Sequence, residues 1–440
     1  MLKVLTHERE NAVKTKILTP TMFLCAVMGL CALVGCERNK NAVSRPVTIR
    51  WWHLNMDQPS QKAFEKIVED FTAIHPNVEF KIVVVDNIEF KQKLDLELAA
   101  NDPPDIFHSW GGGGLVEQVK AGYLRDITSW VKSDRWETRV NPFALDLFGY
   151  EGKYYGFPHD LGAVGFWYNR DMLAKAGYDA FPADWDSFLD MCETLKKTGV
   201  TPIALGIADR WPVMYYWVYL TMRIGGAGMY QDILEGKRAF TDPAVIRAGK
   251  MMQALFDRGF FPPTSLGDDF NMQSGQMGDG QCAVQLMGQW ALAIQTEVSE
   301  QKDALVPVMG FAPFPAVKGG QGGLFDAMGG GNGFVIGKNA PDEAIEFLEF
   351  FNRAENVQGY FDIFPAIPTA PGVKVQIGGL NEVKEYLGKI DQYRLYPDQL
   401  FPKDIGNLLN ETSARVMIGE ISAERGAAIL QEAWEKYRSR

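Results

Sequence analysis

The chain has 440 residues, a net charge of −11 and five cysteines, and 46 % of it is hydrophobic against 22 % charged. Those proportions exclude a disordered or fibrous protein, and at roughly 100–200 residues per domain the length asks for more than one domain. The excess of acid argues against electrostatically driven binding to nucleic acid or to an anionic membrane.

In chain order, Lys14 and Lys16 precede an apolar run from Met22 to Val34, followed by Gly35 and Cys36. A basic flank, a short apolar stretch and small residues at a cut site form the pattern of a secretory signal peptide over residues 1–35. The run is shorter than the ~20 residues a membrane-spanning helix needs. A short anchor or a buried helix is the competing reading. Leu33-Val34-Gly35-Cys36 also resembles the lipobox of bacterial lipoproteins, which implies that Cys36 carries lipid and anchors the chain to a membrane. Cutting before Cys36 removes four basic and two acidic residues and leaves net −13, with Cys36, Cys192 and Cys282 remaining. At most one disulfide is then possible, so a disulfide framework does not stabilise this protein. Cys192 shares an apolar helix face with Trp185, Phe188, Leu189 and Leu195 and is expected as a buried free thiol.

Residues 36–46 read as a polar tether. Val47 to Trp51 alternates as a strand, a helix opens at Pro59, and Val78 to Val85 is a second strand, giving a βαβ unit. A helix over 88–100, a strand over 105–110 and a helix over 115–121 follow. Residues 161–169 read as one strand, and 202–207, 282–287 and 333–337 as others. Helices are expected over 171–176, 183–198, 212–224, 243–258, 341–353 and, as one tail, 412–437. Glycine clusters near 111–114, 319–323 and 329–333 read as loops. No internal repeat is visible.

Catalytic and metal motifs fail. The five histidines form no HExxH or i,i+4 pair, and there is no G-x-S-x-G elbow or Walker loop. Gly329 to Gly333 precedes a strand instead of opening a helix, so it is not a dinucleotide loop. A carboxylate pair for glycoside hydrolysis stays open, because many acids offer many pairs.

The tryptophans are more informative. Trp51-Trp52-His53-Leu54-Asn55, Trp110, Asp209-Arg210-Trp211 and Gly288-Gln289-Trp290 all follow the carboxyl ends of predicted strands. That is where open α/β sheets bind ligands. An aromatic plate there stacks on the C–H face of a sugar ring, and Asp, Asn and Arg answer its hydroxyl rim. Trp51 and Trp52 point to opposite sides, and Trp52 is the ligand candidate of the two. Trp130, Trp136, Trp185, Trp217 and Trp434 read as core, and Trp167 fits either role.

Seven segments in order carry a wider likeness. They are VTIRWWHLN, FTAIHPNVEFKIVVV, NDPPDIFHSWGGGG, KYYGFPHDLGAVGFWYNRDMLAKAG, CAVQLMGQWALA, GGGNGFVIGKNAPDEAIEFLEFF and GEISAERGAAILQEAWEKY. With them the chain resembles the extracellular solute-binding proteins of bacterial ABC sugar importers, the group that includes maltose-binding protein. The resemblance covers about residues 47–437. It implies an α/β fold of two lobes (type II), each a mostly parallel sheet covered by helices, joined by hinge strands. The N-terminal lobe would hold 46–158 and 328–365, the C-terminal lobe 159–327 and 366–440. It implies ligand contacts at Trp52, His53, Asn55, Trp110, Gly111, Asp160, Asp209, Arg210, Trp211 and Trp290, with hinge glycines at Gly329 and Gly330. It further implies a monomer that performs no chemistry, needs no cofactor or metal, binds a disaccharide or short oligosaccharide, and docks on an ABC permease. A sensor subunit for a membrane receptor and an exported carbohydrate-active enzyme are the competing roles.

Overall fold

In the computed structural model, residues 45–54, 58–133, 136, 140, 142–363, 366–375 and 380–439 are described. The expected signal peptide, Cys36, almost all of the expected tether and Asn55 lie outside them. Among the described residues no helix is long and apolar enough to cross a membrane.

Thirteen strands are described: β1 Val47–His53, β2 Val78–Val84, β3 Ile106–Ser109, β4 Gly149–Tyr150, β5 Lys153–Tyr154, β6 Gly156–Ala163, β7 Gly165–Asn169, β8 Thr201–Ile203, β9 Cys282–Met287, β10 Met309–Ala312, β11 Asp326–Ile336, β12 Ile367–Pro368 and β13 Gln392–Leu395. The large sheet runs β12-β6-β11-β3-β1-β2, with β13 also on β11; the smaller runs β10-β7-β9-β8; β4 and β5 form a hairpin. With helices packed on them, the two main sheets make two α/β lobes.

The expected βαβ start is present: β1 pairs β2 in parallel across the helix Gln58–Ile74, which buries Phe64, Ile67 and Phe71. The sheets are mixed, however, and not mostly parallel. β11 runs antiparallel to β3 and β6, and β7 runs antiparallel to β9 and β10. Parallel order needs a helical crossover between neighbours, and here long returning strands make those connections instead.

Four other expectations change. The single strand over 161–169 is two strands in different sheets, β6 and β7, with Val164 between them. The run Gly329-Gly330-Gly331 is not a loop but the middle of β11. A Cβ on Gly329 would stand 2.2 Å from the Gly162 carbonyl oxygen, and one on Gly330 2.5 Å from the Tyr396 ring. Side chains were removed there so that neighbours could close over the strand, and composition alone reads such removal as a turn. The tail is two helices, Lys403–Met417 and Ala423–Arg438, the second capped by Ser422. The expected lobe boundaries at 158/159 and 365/366 leave β6 divided and put β12 and β13 apart from the sheet in which they pair.

Two tyrosines, one buried and one half-buried, and an arginine hold the connection between the sheets. Val164 donates its N–H to Met328 O at 2.9 Å. The Tyr219 hydroxyl accepts from Met328 N at 3.1 Å and donates to Val164 O. The Tyr393 hydroxyl donates to Gly162 O, with Gly330 O at 3.2 Å. Arg223 is fully buried, and its guanidinium reaches Phe314 O at 2.8 Å and Asp326 O at 2.9 Å. Tyr219 and Arg223 lie on the helix Trp211–Gly225, which is buried on every side beyond its first residue. A helix apolar all round is a core helix.

Cys192 and Cys282 are buried free thiols. Burial pushes the Cys282 thiol up to about 12, so neither is poised as a nucleophile.

Candidate functional site

A cavity of about 790 Å³ opens beyond the carboxyl ends of the strands. The large sheet supplies Leu54 after β1, Asp86 after β2 and Trp110 after β3. The smaller sheet supplies Asp209 and Trp211 after the β8 segment, and Gln289 and Trp290 after β9. His159 and Asp160 of β6 and Gly330 to Asn332 of β11 lie where these two sets meet. A second cavity, about 240 Å³, holds none of the residues singled out by sequence.

One side of the cleft is aromatic. Trp211 and Trp290 lie 6.4 Å apart between ring centroids, inclined at 53°. Trp211 also meets Tyr215 at 5.7 Å and Phe270 at 5.2 Å. Tyr396 joins Tyr215 at 5.9 Å and Trp290 at 6.3 Å. Local geometry sets this group. Arg210 sits at φ 66°, a left-handed backbone that turns the chain sharply into the helix and exposes Trp211 at its first position. Tyr215 follows one helical turn later, on the same face. Trp110 stands opposite in chain order, edge-on to His108 at 4.7 Å, with the Lys91 ammonium 4.9 Å above its ring.

The other component is polar and deeply set. Asp160 is 1 % exposed. It accepts from Asn332 N at 3.2 Å and from Asn332 Nδ2 at 2.9 Å, and the Gln289 Nε2 stands 3.5 Å away. Asn332 is opposite Asp160 in the β6–β11 ladder, immediately before a register shift at Gly333. Burial pushes the Asp160 carboxyl up to about 7, against the lowering pull of the Asn332 donors. Gln289 packs over Gly162, where any side chain would collide with its amide, and its Oε1 has no partner. The Tyr396 hydroxyl is likewise buried and unpartnered. Groups like these cost free energy unless something else bonds them.

Charge is unevenly spread. At one end, burial lowers the Lys91 ammonium and raises Asp398, each opposed by the other's charge. Elsewhere Asp86, Asp209 and Asp269 gather. Burial raises the Asp209 carboxyl; the Phe270 N–H, donating at 3.0 Å, pulls it back, and Asp269 and Asp86 raise it further. Asp86 and Asp269 are helix N-caps. Asp86 accepts from Ile88 N at 2.8 Å and Asp269 from Met272 N at 2.8 Å. Burial holds His159 down to about 3 and His108 well below its ordinary value, so both imidazoles are neutral.

Of the residues expected from sequence, Trp110, Asp160, Asp209, Trp211, Trp290 and Gly330 line the cleft. Trp52 does not: it is 8 % exposed and lies in the core beside fully buried Trp51. His53 is buried against Trp51 and Phe64, and desolvation holds it near pKa 3. Gly111 is closed off by the Leu147 carbonyl, 2.3 Å from where a Cβ would stand, and Gly329 by Gly162 and Tyr393. Arg210 is not among the residues lining the cleft, and its guanidinium stands 3.8 Å from Glu411. Asn55 lies outside the described residues. Trp52 and His53 belong to β1, an interior strand with both faces covered, so neither reaches the cleft.

Sequence reading passed over Lys91, His108, Tyr215, Gln289, Asn332, Tyr396 and Asp398. Tyr215 was within reach through its i,i+4 spacing from Trp211, and Gln289 as the neighbour of Trp290. Nothing local marks Tyr396 and Asp398. They enter because β13 returns to the large sheet. Trp167 is core, its indole N–H donating to Gly288 O at 2.9 Å.

A family model described as "Bacterial extracellular solute-binding protein" matches residues 57–358. The chain belongs to that family. A solved "Chitin oligosaccharide binding protein" superposes with a TM-score of 0.83 at 25 % identity, covering 90 % of this chain and 99 % of that one. The "Lactose-binding protein" of Rhizobium radiobacter is 28 % identical over 322 residues, 70 % of each chain. An uncharacterized ABC transporter extracellular-binding protein of Pyrococcus horikoshii is 23 % identical over 246 residues, 55 % of this chain. The match spans about half the length of that relative, 54 %. The fold is the two-lobed type II architecture of such binding proteins, and the protein is extracytoplasmic by family.

Proposed function

We propose that this protein is a receptor that captures a disaccharide or short oligosaccharide between its two lobes and delivers it to an ABC permease, without chemical change. The observation that carries the reading is the cleft itself, in which Trp211, Trp290 and Tyr396 make an aromatic face beside the buried acceptors of Asp160 and Gln289. A sugar ring needs both kinds of surface. Its C–H face gains about 25 cal/mol per Å² buried, and its hydroxyls satisfy groups that are otherwise costly to bury. Lobe one, centred on the large sheet, and lobe two, centred on the smaller, would move about the Val164–Met328 connection. The ligand drives closure by binding the closed form more tightly. Cys36 would hold the receptor at the membrane through lipid, and the protein would act as a monomer.

The names of the lactose-binding and chitin-oligosaccharide-binding relatives support the sugar reading. Calorimetry and thermal shift on a panel of cello-, xylo-, malto- and chito-oligosaccharides test it. At a hundredfold excess over Kd a true ligand adds about 2.7 kcal/mol of stability, a clear rise in melting temperature. A response to peptides or polyamines alone would overturn the sugar assignment. Product formation from labelled oligosaccharide would overturn the absence of chemistry. Metabolic labelling with fatty acid, abolished by Cys36→Ser, tests the anchor.

A further inference from the structure

The cleft carries a bias in charge and hydrogen-bond sense that limits which saccharides it admits. Its lining holds six carboxylates and a single lysine, with no arginine. Lys91 lies over the Trp110 ring, with Asp398 acting on its charge. The two imidazoles in the lining are held neutral by burial. No ion-pair partner stands against Asp86, Asp209 or Asp269 among the described residues. Deeper in the cleft, an independent observation points the same way. Gln289 is 1 % exposed and its Oε1 is unpartnered, while its Nε2 stands 3.5 Å from Asp160. Formal charge in the lining is therefore mainly negative, and Gln289 Oε1 awaits a donor from the ligand.

We infer that the cleft selects saccharides rich in hydroxyl or ammonium donors and rejects those bearing carboxylates, with Asp86, Asp209 and Asp269 as the filter against uronates. The inference rests on the sugar reading above and narrows it. A hydroxyl donates to a carboxylate or to Gln289 Oε1. A uronate adds like charge to a partly desolvated group of acids. Like-charge juxtaposition of this kind weakens binding by about tenfold or more. Asp86 follows a strand of the large sheet, and Asp209 and Asp269 belong to the other lobe. Closure around an anion would therefore raise the repulsion, and closure around an amine would relieve it.

The test is a panel of cello-, xylo- and chito-oligosaccharides, chitosan oligosaccharides and oligogalacturonides, read by thermal shift and then by calorimetry in 20 mM and 500 mM salt. The expected result is binding by neutral or amino members, with the oligogalacturonides at least about tenfold weaker and that gap shrinking in high salt. An oligogalacturonide that binds as tightly as the best neutral sugar overturns the filter and leaves the sugar reading standing. Silence from the whole panel overturns both. The double variant Asp209→Asn, Asp269→Asn keeps an acceptor for Phe270 N and a good N-cap for the helix Phe270–Gly278. It should raise the ratio of uronide to neutral affinity by about tenfold and flatten the salt dependence. An unchanged ratio in a variant that melts normally assigns the selectivity elsewhere and overturns the role of these residues.

Discussion

Two tryptophans and one aspartate can be tested singly. Trp211 and Trp290 face one another across 6.4 Å at the cleft, and each offers one large apolar plate to a ligand. Trp211→Ala or Trp290→Ala should weaken sugar binding by about tenfold or more while circular dichroism stays native, because the loss is contact area at a surface. Asp160 behaves differently, since it is buried and its carboxyl is raised to about 7. The folded state keeps that proton between the ordinary carboxylate value, 3.8, and 7, and the unfolded state does not. The stability tied to protonation is thus full below pH 4 and lost as pH rises through 7. Asp160→Asn should remove this dependence, so that melting temperatures of variant and wild type diverge in favour of the variant from pH 5 to pH 8. The buried histidines act in the opposite sense. His53 and His159, both near 3, lose stability as pH falls below 6.5, and the difference between variant and wild type cancels them.

At the scale of single elements, β11 is the instructive case. Its glycines look like a loop in composition, yet they occupy the centre of the large sheet, paired on β6 and, at Gly329, on β13. Gly330→Ala would push a methyl group to within 2.5 Å of the Tyr396 ring. Overpacking of this kind costs about 1–3 kcal/mol, and the displaced ring belongs to the aromatic face. The expected outcome is a lower melting temperature together with weaker ligand binding, measured on the same protein. The helix from Trp211 shows how an element positions function at its start. Its interior is buried, so the helix cannot shift, and the left-handed Arg210 places Trp211 at the cleft edge. Asp86, Asp184, Asp242 and Asp269 each accept a backbone N–H at the opening of a helix. That two of these caps also line the cleft was not legible, because capping looks the same wherever a helix begins.

For the whole molecule, the connection between the sheets is the place where stability and motion meet. The Tyr219 hydroxyl joins Val164 and Met328, and the Tyr393 hydroxyl joins Gly162 and Gly330. Tyr219→Phe leaves the buried Met328 N–H without that acceptor and should cost about 1–3 kcal/mol. If the lobes rock about this connection, the same variant should also change the ligand-induced decrease in radius of gyration measured by small-angle scattering. A ligand that binds with no change in radius would argue for a preformed cleft.

Sequence by itself determined the α/β class, the βαβ start, most helices and the family likeness. Each rests on period, capping and residue type, which are local. It also pointed to four strand ends as the place for aromatics, and Trp110, Trp211 and Trp290 do line the cleft there. Only the tertiary structure decided the rest. Trp52 and His53 went to the core because β1 lies inside the sheet and both of its faces are covered. The glycine run became a strand because Tyr393 and Tyr396 close over it from far along the chain. Lys91, Gln289, Tyr396 and Asp398 reached the cleft because strand returns bring together segments about 300 residues apart. Local patterns carry no record of such distances, since hydrophobic period fixes which face is buried and not which distant segment covers it.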